Sequence, residues 1–168
     1  MHVAAESAHN FISFIAGNDQ LLALPLAEIS EVLPMALLTK PPGKPPILEG
    51  FLNLAGDAWA VVNLSAVLGL PPEIPGVYSA LLAMRGPERT AFLVKRVLGI
   101  VTVGSGDLLP AIGAASFNDC ASTSFVVDGR PVHLLTYAKV LLLKEKLVVD
   151  CFRRQEQARM ASAGDIPA

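Results

Sequence analysis

Short apolar segments separated by turn signals are the feature that most limits how this chain can fold. The segments are three to eight residues long and rich in β-branched and aromatic side chains. Pairs of them flank four turns, which are Gly17-Asn18-Asp19, Gly56-Asp57, Gly86-Pro87 and Asp128-Gly129. Because a strand, a tight turn and a second strand in succession form a hairpin, the pattern predicts an all-β fold.

Two proline-rich stretches interrupt this pattern. Residues 40–46 contain four prolines, which remove four backbone donors, so no sheet ladder can run through them. A stiff connection is one interpretation of this stretch, and a proline-rich recognition peptide is the other. Residues 71–76 form the second stretch and the best internal boundary. Residues 27–33 fit either a helical turn or a third strand.

A local repeat divides the chain. Residues 61–68 resemble residues 132–141, about 70 residues later, and in both an apolar strand ends at a hydroxyl residue, Ser65 or Thr136, and enters an apolar helix. The repeat predicts two tandem β-units, at about 10–70 and 77–135. Units this small favour closed barrels, because closure removes exposed edges. We expect a C-terminal helix at about 136–155 and flexible termini at 1–9 and 156–168.

Composition restricts the possible partners. Hydrophobic residues make up 52% of the chain, charged residues 17%, and the formal net charge is −2. This excludes disorder of the body, makes nucleic acid an improbable partner and favours a protein partner. The most apolar window, residues 51–70, contains Asp57 and is followed by Pro71-Pro72, so we interpret it as buried strands. We therefore expect a cytoplasmic protein without direct membrane insertion.

Residue patterns typical of catalytic or metal-binding sites are absent from the sequence. His2, His9 and His133 are scattered, and Cys120 with Cys151 cannot complete a structural zinc site. The sequence has no phosphate-binding loop and no nucleophile elbow. We therefore expect no enzyme activity, no metal and no cofactor.

Four stretches occur in an order and spacing that match one known family. They are residues 11–33, residues 50–69 with Asn53-Leu54-Ala55-Gly56, residues 91–101 and residues 132–143. Over about residues 10–146 the chain resembles the CheW-like domain of chemotaxis coupling proteins. The resemblance implies two tandem five-stranded SH3-like barrels with an apolar core between them, a short internal helix and a C-terminal helix.

The resemblance also implies a function without turnover. Such adaptors bridge the cytoplasmic tip of a methyl-accepting chemoreceptor to the regulatory domain of a CheA-type histidine kinase, which itself resembles CheW. The output is chemotaxis or type IV pilus motility. A divergent CheW-like binding module outside the receptor array is the alternative.

Site residues follow from the same match. Glu31, Val32 and Gly50 match positions near the family's receptor groove, and Asn53 and Gly56 match its Asn-Leu-Arg-Gly motif. The motif's arginine is Ala55 here, which puts the usual receptor contact in doubt because arginine is a frequent interface anchor. Trp59 is a candidate replacement anchor or an ordinary core residue. The family's usual aspartate in the next strand is Asn63.

Overall fold

The computed structural model describes residues 7–110 and 121–164, which form a mainly β structure. The strands in chain order are β1 (Ala8–Ala16), β2 (Gln20–Pro25), β3 (Ile29–Pro34), β4 (Leu48–Leu54), β5 (Asp57–Asn63), β6 (Ala80–Met84), β7 (Thr90–Val94), β8 (Arg96–Gly104), β9 (Leu109–Pro110), β10 (Ala121–Val127) and β11 (Arg130–Leu135). The helices are α1 (Leu64–Val67), α2 (Tyr137–Val140) and α3 (Leu143–Gly164). A 3-10 turn at Leu26–Glu28 precedes β3, so the ambiguous 27–33 segment contains both a helical turn and a strand.

Two sheets contain all of these strands. One has the order β8-β1-β2-β11-β10-β9, and we call it the split barrel because its strands come from both ends of the chain. The other has the order β3-β6-β7-β5-β4, and we call it the inserted barrel because it lies between β2 and β8 in sequence. The proline-rich residues 40–46 connect β3 to β4 without forming a strand, as predicted.

Both sheets close into barrels, one through a bent strand and the other through a short backbone bridge. A single 3-10 turn and Leu108 separate β8 from β9, so the two act as one bent strand that pairs with β1 at its start and with β10 at its end. In the inserted barrel, the chain beyond β3 reaches β4, where Thr39 and Phe51 exchange two backbone hydrogen bonds of 2.9 and 2.8 Å. Counting β8 and β9 as one strand, each barrel has five strands.

The sequence repeat corresponds to equivalent hairpins in the two barrels. Leu48 lies opposite Val62 in the inserted barrel, and Ala121 lies opposite Leu135 in the split barrel, 73 residues later. The second strand of each hairpin pairs in parallel with a strand outside the hairpin: β5 pairs with β7, and β11 pairs with β2. After this strand the chain enters a short helix, α1 or α2. The predicted match of Ser65 with Thr136 is out of register, because α1 is capped by Asn63, the counterpart of Thr136, and Ser65 lies inside the helix.

The predicted all-β fold with two β-units is confirmed, but the predicted partition of the chain is wrong. The inserted barrel comprises residues 29–94, whereas the split barrel combines residues 8–25 with residues 96–110 and 121–135. The boundary at 71–76 therefore lies within one barrel. Local turn signals specify hairpins, but the parallel pair β2–β11 joins distant segments and leaves no local trace in the sequence.

Three apolar clusters form the interior. One cluster combines residues of both barrels, including Phe14, Leu24, Val62 and Phe92. A second lies within the inserted barrel and a third within the split barrel. In β6 and β7 every residue is buried, because alternate side chains enter the barrel and the shared core. Burial on both faces explains why these strands are apolar except at Thr90, the first residue of β7.

The chain ends are more ordered than the sequence predicts. Ala8 and His9 begin β1 opposite β8, and the His9 ring lies 2.9 Å from the Ser105 hydroxyl. The predicted helix is divided near Leu141 into α2 and α3, and α3 extends to Gly164, beyond the predicted end at 155. Residues 8–9 and 156–164, where the sequence predicts flexible termini, lie in β1 and α3. Residues 1–6 and 165–168 lie outside the described part.

Candidate partner-binding surface

The predicted site residues occupy two separate edges of the inserted barrel. Glu31 and Val32 lie in β3, at one end of the strand order, and both are exposed, Val32 to 42%. The remaining candidates lie in or beside the β4–β5 hairpin at the other end. The chain through Thr39 links the two edges. The structure therefore brings these residues onto one barrel, at opposite ends of its strand order.

Gly50 is buried in β4, in close contact with the chain that closes the barrel. A Cβ atom at this position would lie 2.8 Å from the Thr39 carbonyl oxygen and 2.9 Å from the Leu38 Cβ. Contacts this short are not tolerated without movement of the backbone. Glycine is needed here because the chain that closes the barrel crosses directly over β4.

The β4–β5 turn exposes the residues that replace the family motif. Ala55 and Gly56 have φ values of +52° and +90°, which together define a two-residue type I′ turn. The Asn53 side chain stabilises this turn, since its Oδ1 accepts a 2.9 Å hydrogen bond from the Gly56 amide. Alanine is a poor choice at positive φ, where a Cβ costs about 1 kcal/mol. Ala55 therefore sits exposed at the tip in an unfavourable conformation.

Trp59 is only half-buried and contributes to the barrel interior. It lies opposite Leu52 and packs against the inserted barrel's own cluster, beside Leu33 and Met35. Most of its apolar surface is therefore used within the fold, and its accessible part is limited. The role of replacement anchor stays a prediction.

The side chain that holds the turn most firmly was not found by sequence reasoning. Gln157 of α3 donates from Nε2 to the Gly56 carbonyl at 3.0 Å and accepts at Oε1 from the Ala58 amide at 2.8 Å. One side-chain amide thus binds two backbone groups on the β5 side of the turn. Gln157 lies in a stretch predicted to be flexible; the only available signal was the run of good helix formers, without glycine or proline, that continues past residue 155.

Asn63 organises the base of the same hairpin. Its buried Oδ1 accepts from the Ala66 amide, 3.3 Å, and the Glu73 amide, 3.1 Å, while its Nδ2 donates to the Glu73 carbonyl at 3.0 Å. An aspartate at this position could accept but not donate. The departure from the family's aspartate therefore has a physical reason, because the amide fastens the 71–76 loop to the start of α1.

Charged groups surround the hairpin without forming a reactive site. Arg89 pairs with Asp57 at 3.1 Å beside the turn. Burial raises the pKa of Glu28, which precedes β3, whereas Glu31 is exposed, so the two carboxylates do not share one environment. Among residues 7–110 and 121–164, no three His, Cys, Asp or Glu side chains are grouped to hold a metal ion. Cys151 is a free, exposed thiol, and Cys120 lies outside the described residues.

None of the helices in the described part of the chain is both long and apolar enough to cross a bilayer.

Comparison with known proteins gives one consistent result. The family model of the CheW-like domain matches residues 10–145. The chemotaxis protein CheW of Thermotoga maritima is 27% identical over 124 residues, covering 74% of this chain and 82% of the relative. The chemotaxis protein CheW of Helicobacter pylori is 26% identical over 115 residues, covering 68% and 69%.

A solved structure agrees in fold. The scaffolding protein TtCheW of Thermoanaerobacter tengcongensis superposes with a TM-score of 0.70 at 17% identity, covering 77% of this chain and 90% of that one. At this identity the likeness concerns the fold alone. The family model covers residues 10–145, more than half of the chain, so this chain belongs to the CheW-like domain family and, as predicted, is not an enzyme.

Proposed function

We propose that this chain is a cytoplasmic scaffold of a chemosensory pathway that couples chemoreceptors to a CheA-type histidine kinase. The observation that carries the proposal is the family match, which spans both barrels over residues 10–145. The relatives are named chemotaxis proteins, and the similar structure is named a scaffolding protein, which supports the same role. Flagellar chemotaxis and type IV pilus motility are both compatible outputs.

The receptor contact is assigned to the inserted barrel. A receptor tip is a helical hairpin, and such a partner is bound by an apolar surface with a polar rim. Val32 supplies exposed apolar surface on β3, and Glu31 beside it supplies charge. The Ala55–Gly56 tip adds exposed backbone at the other edge. Gly50 acts indirectly, by letting the chain through Thr39 cross β4.

The kinase contact is assigned to the split barrel. Leu98 and Ile100 lie on alternate positions of β8 and are 49% and 65% exposed. Apolar side chains exposed next to each other on one face of a strand favour contact with another β-rich domain, which is the type of domain that the family resemblance implies for the kinase. A coupling protein needs two partners at once, and contacts on different barrels allow this.

Binding measurements with two soluble probes test the proposal. The probes are a kinase regulatory domain and a helical-tip fragment of a methyl-accepting chemoreceptor. We expect the native chain to bind both, Val32→Lys to weaken receptor binding about tenfold, and Ile100→Lys to weaken kinase binding by a similar factor. Each variant should leave the other partner's affinity unchanged and so serves as its control. A native chain that retains neither probe would exclude the proposal.

A binding module outside the receptor array is the second candidate. It is favoured by Ala55, which removes the motif's arginine, and by the contact of α3 with the same turn. The variant Ala55→Arg distinguishes the two. If only this variant binds the receptor fragment, the native chain is such a divergent module; if native and variant both bind, the coupling role holds.

A further inference from the structure

The C-terminal half of α3 lies across the tip of the β4–β5 turn. We call residues 153–164 the strap. It contacts the tip through the Gln157 side-chain amide, which donates to the Gly56 carbonyl at 3.0 Å and accepts from the Ala58 amide at 2.8 Å. These backbone groups follow Ala55, the position at which the family carries its motif arginine, on the β5 side of the turn. The strap thus contacts the same turn that the proposed function assigns to the receptor.

The strap has little apolar attachment of its own. The first half of α3 is anchored in the shared core by Val149 and Phe152. In the strap, Glu156 is buried, but its carboxylate is paired with Arg159, 3.0 Å from Oε2 to Nε. Arg154, Gln155 and Ala158 are exposed. A helix segment held mainly by side-chain hydrogen bonds opens at a lower free-energy cost than one held by core packing.

We propose that the strap is a displaceable intramolecular competitor for the β4–β5 turn. This inference rests on the proposed function, since it regulates the receptor contact of the same surface. With the strap docked, a partner helix cannot reach the Gly56 carbonyl and the Ala58 amide. With the strap released, both groups become available beside the Ala55 tip, which is exposed even when the strap is docked. The apparent Kd for the receptor is then the intrinsic Kd divided by the fraction of molecules with a released strap.

Replacing Gln157 tests the competition in the full chain. Gln157→Ala removes both hydrogen bonds to the turn, and we expect it to bind the chemoreceptor tip fragment about 5- to 30-fold more tightly than the native chain. Gln155→Ala is the matched control, because it makes the same change two residues earlier in the same helix without touching the turn. In Gln157→Ala the Ala58 amide and the strap amides should also exchange hydrogen faster.

Each possible result either supports or overturns the proposed competition between the strap and the receptor. Tighter binding by Gln157→Ala alone supports the strap. Equal binding by all three chains overturns it while leaving the receptor contact in place, and weaker binding by Gln157→Ala also overturns it, because α3 would then be part of the docking surface. Binding by none of the chains rejects both the strap and the proposed receptor contact. Should Gln157→Ala not fold, Gln157→Glu replaces it, since its carboxylate repels the Gly56 carbonyl.

Discussion

The β4–β5 and β10–β11 hairpins have equivalent positions in the two barrels but different turns. Both turns have two residues at positive φ, Ala55-Gly56 in the inserted barrel and Asp128-Gly129 in the split barrel. Asp-Gly suits this conformation, whereas alanine does not. The Ala55-Gly56 turn is instead stabilised by side chains that are not part of the turn, those of Asn53 in β4 and Gln157 in α3.

This difference indicates where the chain departs from what folding alone favours. The β10–β11 turn contains residues that stabilise it locally. The β4–β5 turn, at the position of the family motif, contains a residue that destabilises it and relies on a distant helix. Local conflicts of this kind are expected at functional surfaces. Substitutions at equivalent positions of the two hairpins can therefore test this difference in how they are stabilised.

The largest difference is expected at the helix caps. Asn63→Ala removes several hydrogen bonds at a buried position and should lower the free energy of unfolding by about 2–3 kcal/mol. Its counterpart Thr136 makes no side-chain capping bond, so Thr136→Ala should cost less than about 1 kcal/mol. Urea unfolding of both variants measures this. Equal costs would contradict the assignment of Asn63 as the organiser of the hairpin base.

The second contrast concerns the strand that the closing chain crosses. Gly50→Ala places a methyl group against the Thr39 carbonyl and should destabilise the protein by about 1–3 kcal/mol. The equivalent residue in β10 is Thr123, where a side chain is accommodated, so Thr123→Ala should change stability by less than about 1 kcal/mol. Chemical denaturation provides the comparison. A neutral Gly50→Ala would refute the close crossing.

The turns themselves should respond in opposite directions. Ala55→Asn introduces a residue that tolerates positive φ and should stabilise the protein by about 0.5–1 kcal/mol. Asp128→Ala introduces the disfavoured residue and should destabilise it by a similar amount. Thermal unfolding of the two variants checks the signs. Destabilisation by Ala55→Asn would mean that the alanine is needed for the turn's contacts.

The smallest effect is expected at an exposed ion pair that joins the barrels. Lys95 follows β7 and contacts Asp19, in the β1–β2 turn, at 2.8 Å. Hydrogen bonding to Lys95 and its charge lower the pKa of Asp19, and the same pair raises the pKa of Lys95. The folded-state pKa of Asp19 lies below the unfolded one, so its stabilisation is present above the unfolded value near 3.8 and disappears as the pH falls through the folded pKa.

NMR titration of Lys95→Met should return the pKa of Asp19 towards 3.8, with little change in stability because both groups are exposed to solvent and screened by salt. Lys95 itself should stabilise below pH 10.5 and lose this contribution as the pH rises through its raised pKa. An unchanged Asp19 pKa in the variant would show that the pair does not form in solution.

Sequence reasoning identified the hairpins because their turn residues are local signals. Asp128-Gly129 and Gly56-Asp57 marked two turns, and the repeat found the equivalent strands β5 and β11, although it matched Ser65 rather than Asn63 to Thr136. The nested order of the barrels was missed because the parallel pairing of Leu22 with His133 connects residues far apart in sequence.

The site was predicted only where a residue match existed. Ala55 and Asn53 could be placed from the family motif, whereas Gly50 proved to be a buried crossing point. Gln157 could not be found, because a single polar residue on a helix carries no local sign of the turn it will contact. Gln157 contacts the turn only because α3 packs against the β4–β5 hairpin in the tertiary structure.

Reconstitution of a three-component complex tests the central claim most directly. Receptor-containing nanodiscs, a CheA-type kinase and this chain are mixed, and the kinase recovered with the nanodiscs is measured with and without the chain. We predict that kinase recovery requires the chain and falls with Val32→Lys or Ile100→Lys. Kinase recovery that is the same in the absence of this chain would contradict a coupling role.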